Sequence, residues 1–113
     1  MPGDDQQRMD LLQGTLDMMV MRTLLAGPAN GYEIARAIER LSDDVFGVDH
    51  GSLYPALHRL EKSGLIAGKW ETSSSKRRAR FYRLTATGRK QLAAEHSRWK
   101  QAAAAVTRVM RLA

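Results

Sequence analysis

A run of cations in the second half of the chain has the density expected of a phosphate-binding segment. It begins at the end of the polar stretch TSSSK and consists of Lys76, Arg77, Arg78 and Arg80. Side chains of this kind, closely spaced, can pair with several phosphate groups of a nucleic acid at once. The alternative is a solvated strand edge whose charge opposes aggregation. The basic character of the whole C-terminal region favours phosphate contact.

A second group of candidate contact residues lies on a segment with helical periodicity. Leu53, Leu57 and Leu60 recur at spacings of four and three, which is typical of the buried stripe of a helix. The other faces carry hydroxyl, imidazole, guanidinium and apolar groups suited to base edges and thymine methyls: Ser52, Tyr54, Pro55, His58 and Arg59. Because Tyr54 lies about 100° from Leu53 around such a helix, we expect it outside the core.

The charge of the chain supports a polyanionic partner. The 113 residues carry 18 Lys and Arg against 12 Asp and Glu, a net charge of +6. Residues 1–68 hold six basic and ten acidic side chains, a net charge of −4, whereas residues 69–113 hold twelve and two, a net charge of +10. The positive charge is therefore regional. A solvated helix or a basic tail is the alternative to a nucleic-acid surface.

Several function classes are excluded or disfavoured by what the sequence lacks. There is no cysteine, which rules out disulfides, thiolate zinc sites and cysteine catalysis. His50 and His58 have no nearby carboxylate pair at ligand spacing, so we predict neither a metal nor a cofactor. No Gly-rich phosphate loop and no Ser-His-Asp arrangement is recognisable, which argues against an enzyme.

The N-terminus and the apolar pattern indicate a cytoplasmic protein without a membrane segment. The start MPGDDQQRMD is acidic and polar, unlike a secretory signal. No stretch approaches the roughly 20 apolar residues that span a bilayer.

The order of predicted elements is that of a winged helix-turn-helix. Apolar spacing predicts helices over residues 12–26, 31–41 and 52–62, and alternating β-branched and aromatic residues predict a hairpin over 65–71 and 78–84. The fold is therefore mainly α with a β-hairpin, a winged helix-turn-helix plus a long C-terminal helix. In such folds the third helix enters the major groove and the hairpin contacts the flanking backbone.

Local signals refine these elements. We expect Ser52 to cap the third helix, Pro55 to fall among its first residues, where backbone N–H groups lack partners, and Thr85 to cap the last helix. Arg83 either pairs with an acid such as Glu61 or contacts DNA. The remaining aromatic residues are assigned to core or hairpin packing: Tyr32, Trp70, Phe81 and Tyr82.

The last helix carries a heptad seam, which predicts lengthwise packing against another helix. Its members are Leu92, His96, Trp99, Ala103, Val106 and Met110. With Leu12 and Leu16 of the first helix, we expect this seam to form a homodimer interface. The two-fold copies of Trp99 either anchor that interface, which we favour, or clamp a flat aromatic ligand beside His96. His96 itself is most simply a solvated histidine.

Three segments of the chain closely resemble the PadR family of bacterial transcriptional regulators. They are LLQGTLDMMVMRTLLAGPANGYEIA at 11–35, HGSLYPALHRLEKSGLI at 50–66 and RRARFYRLTATGRKQL at 77–92. The resemblance implies a winged-helix homodimer that binds operator DNA and usually represses, released in some members by phenolic or other aromatic molecules. The short form of the family ends in one long dimerisation helix. The expected organisation is a flexible arm at 1–10, a DNA-binding domain at 11–84 and a dimerisation helix at 85–113.

The sequence thus predicts a homodimeric repressor that binds a pseudo-palindromic operator in double-stranded DNA. Its half-sites are expected about one helical turn, roughly 10 base pairs, or a multiple of that apart. The alternative from another class is a winged-helix protein-interaction module without specific DNA binding. RNA binding is disfavoured because we expect no exposed aromatic platform for stacked bases.

Overall fold

The structure, a computed structural model, describes residues 14–72 and 74–111. Within them, the predicted helices and the hairpin all form. The elements follow in the order α1 (residues 14–23), β1 (Ala29–Asn30), α2 (Gly31–Leu41), α3 (His50–Lys62), β2 (Ile66–Thr72), β3 (Arg78–Leu84) and α4 (Ala86–Met110). A single 3-10 turn at Leu24–Ala26 follows α1. The predicted N-terminal arm and Leu12 lie outside the described residues.

The start of α3 differs from the prediction. Asp49, not Ser52, is the N-cap, and its Oδ1 accepts a hydrogen bond from the Ser52 backbone N–H at 2.8 Å. The helix therefore begins at His50, and Pro55 lies inside it as the sixth residue rather than among the first four. Because proline has no N–H, the bond to the carbonyl of Gly51 is missing at that point. The predicted end of the helix is confirmed, since Ser63 is the C-cap and Gly64 has a φ of 75°.

The hairpin is part of a three-stranded antiparallel sheet with the order β1-β3-β2. The added strand, β1, pairs Ala29 with Tyr82 and leads directly into α2. In the hairpin, Gly68 faces Tyr82 and Trp70 faces Arg80 across the ladder. Since side chains alternate between the two faces of a strand, these four residues share one face of the hairpin.

The core draws residues from every helix and from the base of the sheet. Fully buried side chains include Val20 and Met21 of α1, and the buried set continues through the middle of the fold: Leu24, Ile34, Ile38, Leu53, Leu57, Leu60, Ile66, Tyr82, Leu84 and Leu92. The prediction that Tyr82 is a packing residue is confirmed. The prediction for Tyr32 is wrong, because the buried stripe of α2 runs through Ile34 and Ile38 and leaves Tyr32 65% exposed.

The start of α4 is fixed to the turn that connects α3 to β2. Thr85 is the N-cap, as predicted, and its hydroxyl accepts a hydrogen bond from the Gly88 N–H at 2.9 Å. The same hydroxyl is 2.7 Å from the carbonyl oxygen of Gly64 and 3.0 Å from that of Leu65, so it can donate to either. Gly88 is buried, and a Cβ there would overlap the Leu65 carbonyl. Close backbone contact thus requires glycine at this position.

Candidate nucleic-acid interface

A cleft of about 650 Å³ lies between α3 and the facing side of the hairpin. The α3 wall carries Tyr54, His58 and Glu61, which follow one another at i, i+4 and i+7 and therefore share a helix face. The hairpin wall consists of one residue of β2 and four residues of β3, and residues at the start of α2 complete the lining. The residues added by these two elements are Trp70, Arg78, Ala79, Arg80, Tyr82, Asn30, Gly31 and Tyr32.

Tyr54 and His58 are the predicted contact residues that α3 contributes to the cleft. Tyr54 lies outside the core, as expected, with 51% of its surface exposed. Its ring stacks on His50, with centroids 5.4 Å apart and planes 14° from parallel. This stacking holds the phenol at the edge of the cleft. Pro55 is exposed on the adjacent outer face of α3.

Two other predicted residues, Ser52 and Arg59, lie on the opposite side of α3, toward α1. Arg59 Nη2 is 2.8 Å from Asp17 Oδ1, and Arg59 Nε is 3.4 Å from Oδ2 of the same carboxylate. Ser52 lines a cavity of about 70 Å³ together with Leu16 and Met19 of α1. Arg59 therefore ties α3 to α1, which is an internal role that the sequence did not indicate.

The four hairpin cations that were predicted to contact phosphate fall into two groups. Lys76, Arg77 and Arg78 are exposed at and beside the turn, and none of the ion pairs found among the described residues involves them. Lys76 adopts a left-handed backbone conformation with φ of 62°. The Arg78 guanidinium lies 5.6 Å from the centroid of the Trp70 ring, a cation–π contact. All three side chains are exposed, and Arg78 also lines the cleft.

Arg80 belongs to the second group, because it points into the cleft and pairs with Glu61 of α3. Its guanidinium also lies 5.9 Å from the ring centroids of both Trp70 and Tyr82. The hydrogen bond with the Glu61 carboxylate raises the pKa of Arg80, and burial raises the pKa of the Tyr82 phenol. A pairing of Arg83 with Glu61 does not form, because Arg83 alternates onto the other face of the strand.

Glu61, Trp70 and Tyr32 are among the cleft residues that were not predicted to contact DNA. Trp70 packs on the hairpin, in line with the prediction, yet remains 54% exposed. Two periodicities in the sequence could have located Glu61 and Trp70. Glu61 follows Tyr54 and His58 on one helix face, and Trp70 shares a strand face with Arg80 once the hairpin register is known.

A second concave surface, of about 390 Å³, lies between α1 and α4. Met18, Met19 and Leu25 supply much of its apolar lining, and Trp99 and His96 of the predicted seam border it. Trp99 is 47% exposed. We call this surface the α1–α4 groove; its full lining adds Arg22, Arg89, Leu92 and Ala93.

The rest of the predicted seam divides at the end of the compact core. Leu92 is buried in the core of its own chain, and Leu16 packs against that core. Farther along α4, Ala103 is half-buried, whereas Val106 and Met110 are exposed. The apolar stripe available to another molecule therefore begins near His96 rather than at Leu92.

Neither a metal cluster nor a membrane-spanning helix is found in the part of the chain that the structure describes. No three or more His, Asp or Glu side chains there are grouped so that they could hold a metal ion. None of the helices described is both long and apolar enough to cross a bilayer.

The winged helix with its basic hairpin, taken with the family match over residues 20–94, identifies the class of protein as a DNA-binding transcriptional regulator rather than an enzyme. Residues 20–94 match the family model described as the transcriptional regulator PadR-like family. That match spans more than half of the chain, so the chain belongs to the PadR-like family. The resemblance identified in the sequence is thereby confirmed.

Solved structures of regulators share the fold over nearly the whole chain. A transcriptional regulator from Clostridium thermocellum is 27% identical with a TM-score of 0.82, covering 90% of this chain and 99% of that one. A PadR family regulator from Eggerthella lenta is 29% identical with a TM-score of 0.77, covering 96% and 93%. A PadR-like regulator from Bacillus cereus is 25% identical with a TM-score of 0.76, covering 92% and 99%.

Proposed function

We propose that the protein is a homodimeric repressor that binds a pseudo-palindromic operator in double-stranded DNA. The observation that carries the proposal is the cleft, where the Tyr54 and His58 face of α3 adjoins a cationic hairpin. An α-helix fits the major groove, and a hairpin beside it reaches the neighbouring backbone. Such a protein would act in the cytoplasm, where bacterial DNA lies.

We assign base reading to Tyr54, Pro55 and His58. All three are exposed on α3, and the phenol and imidazole offer hydrogen-bonding groups to base edges while proline offers apolar surface to a thymine methyl. Ser52 and Arg59, proposed from the sequence, are left out of this set because both face α1. The Asp17 carboxylate holds the Arg59 guanidinium that a guanine contact would need.

Phosphate contact is assigned to Lys76, Arg77 and Arg78. These cations are exposed around the hairpin turn, where a narrow tip can approach the DNA backbone. Contacts of this kind fix position and affinity without reading sequence. If these cations only kept the strand edge solvated, removing them would not measurably change DNA binding.

Dimerisation is assigned to α4, with residues 85–113 as the dimerisation segment and the preceding domain as the DNA-binding part. The exposed stripe of Trp99, Val106 and Met110 continues the α1–α4 groove, and a two-fold axis would place the same stripe of a second copy against it. Burial of these side chains supplies the free energy of association. Two subunits related in this way would hold two recognition helices for two half-sites.

A small aromatic effector is a second candidate property of the same groove. Its apolar lining and the exposed Trp99 indole suit a flat apolar molecule, with His96 as a polar neighbour. Titration of an aromatic library against indole fluorescence, followed by DNA release, tests this. A library in which no compound both quenched Trp99 and changed DNA binding would leave the residue as an interface anchor.

Selection of bound duplexes from a random library, using the purified protein, tests the leading proposal. The expected result is a two-fold symmetric motif with half-sites spaced by about 10 base pairs or a multiple. If binding neutralises six to ten phosphates, raising the salt concentration from roughly 50 to 200 mM should lower the affinity by about 10³ to 10⁵. If duplex DNA were not retarded even at low salt, the protein-interaction alternative would replace this proposal.

Two sets of variants then separate base reading from phosphate contact. The double change Arg77→Ala with Arg78→Ala removes four cations from a dimer, so it should weaken binding to all sequences and reduce the magnitude of the slope of log affinity against log salt by about four. His58→Ala should instead reduce discrimination between selected and random duplexes by about 1–3 kcal/mol. Arg40→Ala, an exposed cation at the end of α2, is the matched control. Normal operator binding by the Arg77 and Arg78 variant would refute the phosphate assignment.

A further inference from the structure

Arg80 differs from the other hairpin cations because the protein itself surrounds its guanidinium. Glu61 of α3 binds it from one side, and the rings of Trp70 and Tyr82 lie 5.9 Å from it on the sheet side. Only about 30% of its side chain is exposed. Side chains of the protein itself thus already contact the Arg80 guanidinium at its hydrogen-bonding edge and at its stacking faces.

Gly68 provides the space in which the Arg80 side chain lies. A Cβ at Gly68 would be 2.6 Å from Arg80 Nε and 2.8 Å from the central guanidinium carbon. Any larger residue would therefore displace Arg80 from its position over the strand. The site is built by residues of three elements, α3, β2 and β3.

The position of this contact along the hairpin gives it a mechanical consequence. Ile66 is buried at the base of β2, Ala67 and Gly68 are half-buried, and the residues from Lys69 to Thr72 are exposed. The tip therefore has no core beneath it. The Arg80–Glu61 pair joins the hairpin to α3 where the strands leave the core, so it limits rotation of the tip against the helix.

We propose that Arg80 is a positioning residue that fixes the hairpin against the recognition helix through Glu61, and that it is not a phosphate contact. The proposal rests on the DNA-binding function proposed above. With the pair in place, the tip cations and the Tyr54 and His58 face are oriented together before DNA is met. Such pre-organisation reduces the ordering cost of binding.

Glu61→Gln distinguishes positioning from direct contact, because the two roles predict effects of opposite sign. If Arg80 contacted DNA, removing a carboxylate beside it would free a cation and reduce repulsion of phosphate, so binding would strengthen. If Arg80 positions the hairpin, the same change loosens the tip, and binding weakens although the surface has become more positive.

The probe is a duplex that carries the sequence most enriched from the random library. We expect Glu61→Gln to weaken its binding by roughly three- to tenfold. Glu71→Gln is the matched control: it removes the same charge from an exposed site on β2 and should leave binding unchanged or slightly tighter. Gly68→Ala, which alters no charge, should weaken binding as Glu61→Gln does.

The salt dependence of the Arg80→Ala variant is the second measurement. A positioning residue leaves the number of phosphate contacts in the bound state unchanged, so the slope of log affinity against log salt should match that of the wild type. A slope smaller in magnitude by about two, one for each subunit of the dimer, would identify a lost phosphate contact and overturn the proposal. Circular dichroism melts of each variant establish that the compared proteins are folded at the assay temperature.

The failures of the two proposals are distinguishable. Absence of DNA binding by the wild type at low salt would refute the proposed function. Tighter binding by Glu61→Gln than by the wild type, with wild-type binding intact, would refute only the role of Arg80.

Discussion

The two concave surfaces of this molecule differ in the kinds of contact that their side chains make. In the cleft between α3 and the hairpin, charged and aromatic groups contact one another in fixed pairs, as with Arg80 and Glu61. In the α1–α4 groove, Met18, Met19 and Trp99 present apolar surface. Directional polar contacts favour a partner with a defined pattern of groups, whereas apolar surface favours any partner that excludes water. The first surface is suited to specificity and the second to association.

The helix α1 lines the groove directly, and it also contacts α3 on the side opposite the cleft. Asp17 binds Arg59 of α3, and the next two residues, Met18 and Met19, line the groove. The chemistry of the two surfaces is therefore separate, although one helix supports both. Variants that alter one surface and leave the other intact test how complete that separation is.

The largest effect is expected from Trp99→Glu, which places a charge in the apolar groove. Loss of an aromatic interface anchor costs about 2–4 kcal/mol, or roughly 30- to 1,000-fold in a dissociation constant. Analytical ultracentrifugation should show the dimer equilibrium shifted to monomer. Gln101→Glu adds the same charge two residues away, at an exposed position off the seam, and should leave the dimer intact. Equal dimerisation of the two variants would refute the groove as the interface.

A smaller effect is expected from Gly88→Ala, which perturbs the attachment of α4. The added methyl overlaps the Leu65 carbonyl, and overpacking of this kind costs about 1–3 kcal/mol. Urea denaturation should show a lower midpoint with little change in slope. Thr87→Ala, at the exposed neighbouring position, is the control. An unchanged midpoint for Gly88→Ala would mean that α4 is not packed as closely as described.

The smallest effect is expected from Asp17→Asn, which weakens the ion pair between α1 and α3. The pair is partly exposed, since 37% of the Arg59 and 23% of the Asp17 side chain is accessible. Exposed pairs contribute less than about 1 kcal/mol. The denaturation midpoint should therefore shift only slightly, as it should for Asp44→Asn at an exposed site after α2. A loss above about 2 kcal/mol would show that the contact between α1 and α3 depends on this pair far more than its exposure implies.

The sequence determines much of this fold through local patterns. Leucines at spacings of three and four specify α3, and Thr85 specifies the start of α4, because both signals act within a few residues. The two-residue strand β1 carries no periodicity, so its pairing with β3 was not predictable. Asp49 and Ser52 are both good capping residues, and only the path of the preceding loop decides between them.

The candidate site was predictable in its composition and less so in its internal contacts. Tyr54 and His58 follow from the helix face that they share, and the exposed cations follow from the charge of the hairpin. The partners of Arg59 and Arg80 depend on how three elements pack, since each pairs with a carboxylate 42 or 19 residues away. Sequence spacing alone does not encode such pairings.

The close contact at Gly88 fixes the direction in which α4 leaves the domain. From Gly88 to Met110 the helix extends about 33 Å, so a change of about 10° in its direction moves the far end by about 6 Å, more than one helical turn. In a symmetric dimer, a change in the direction of α4 occurs in both subunits, and the two displacements add. The distance between the two copies of α3 would then depend on the packing of Gly88 against the Leu65 carbonyl oxygen in each subunit.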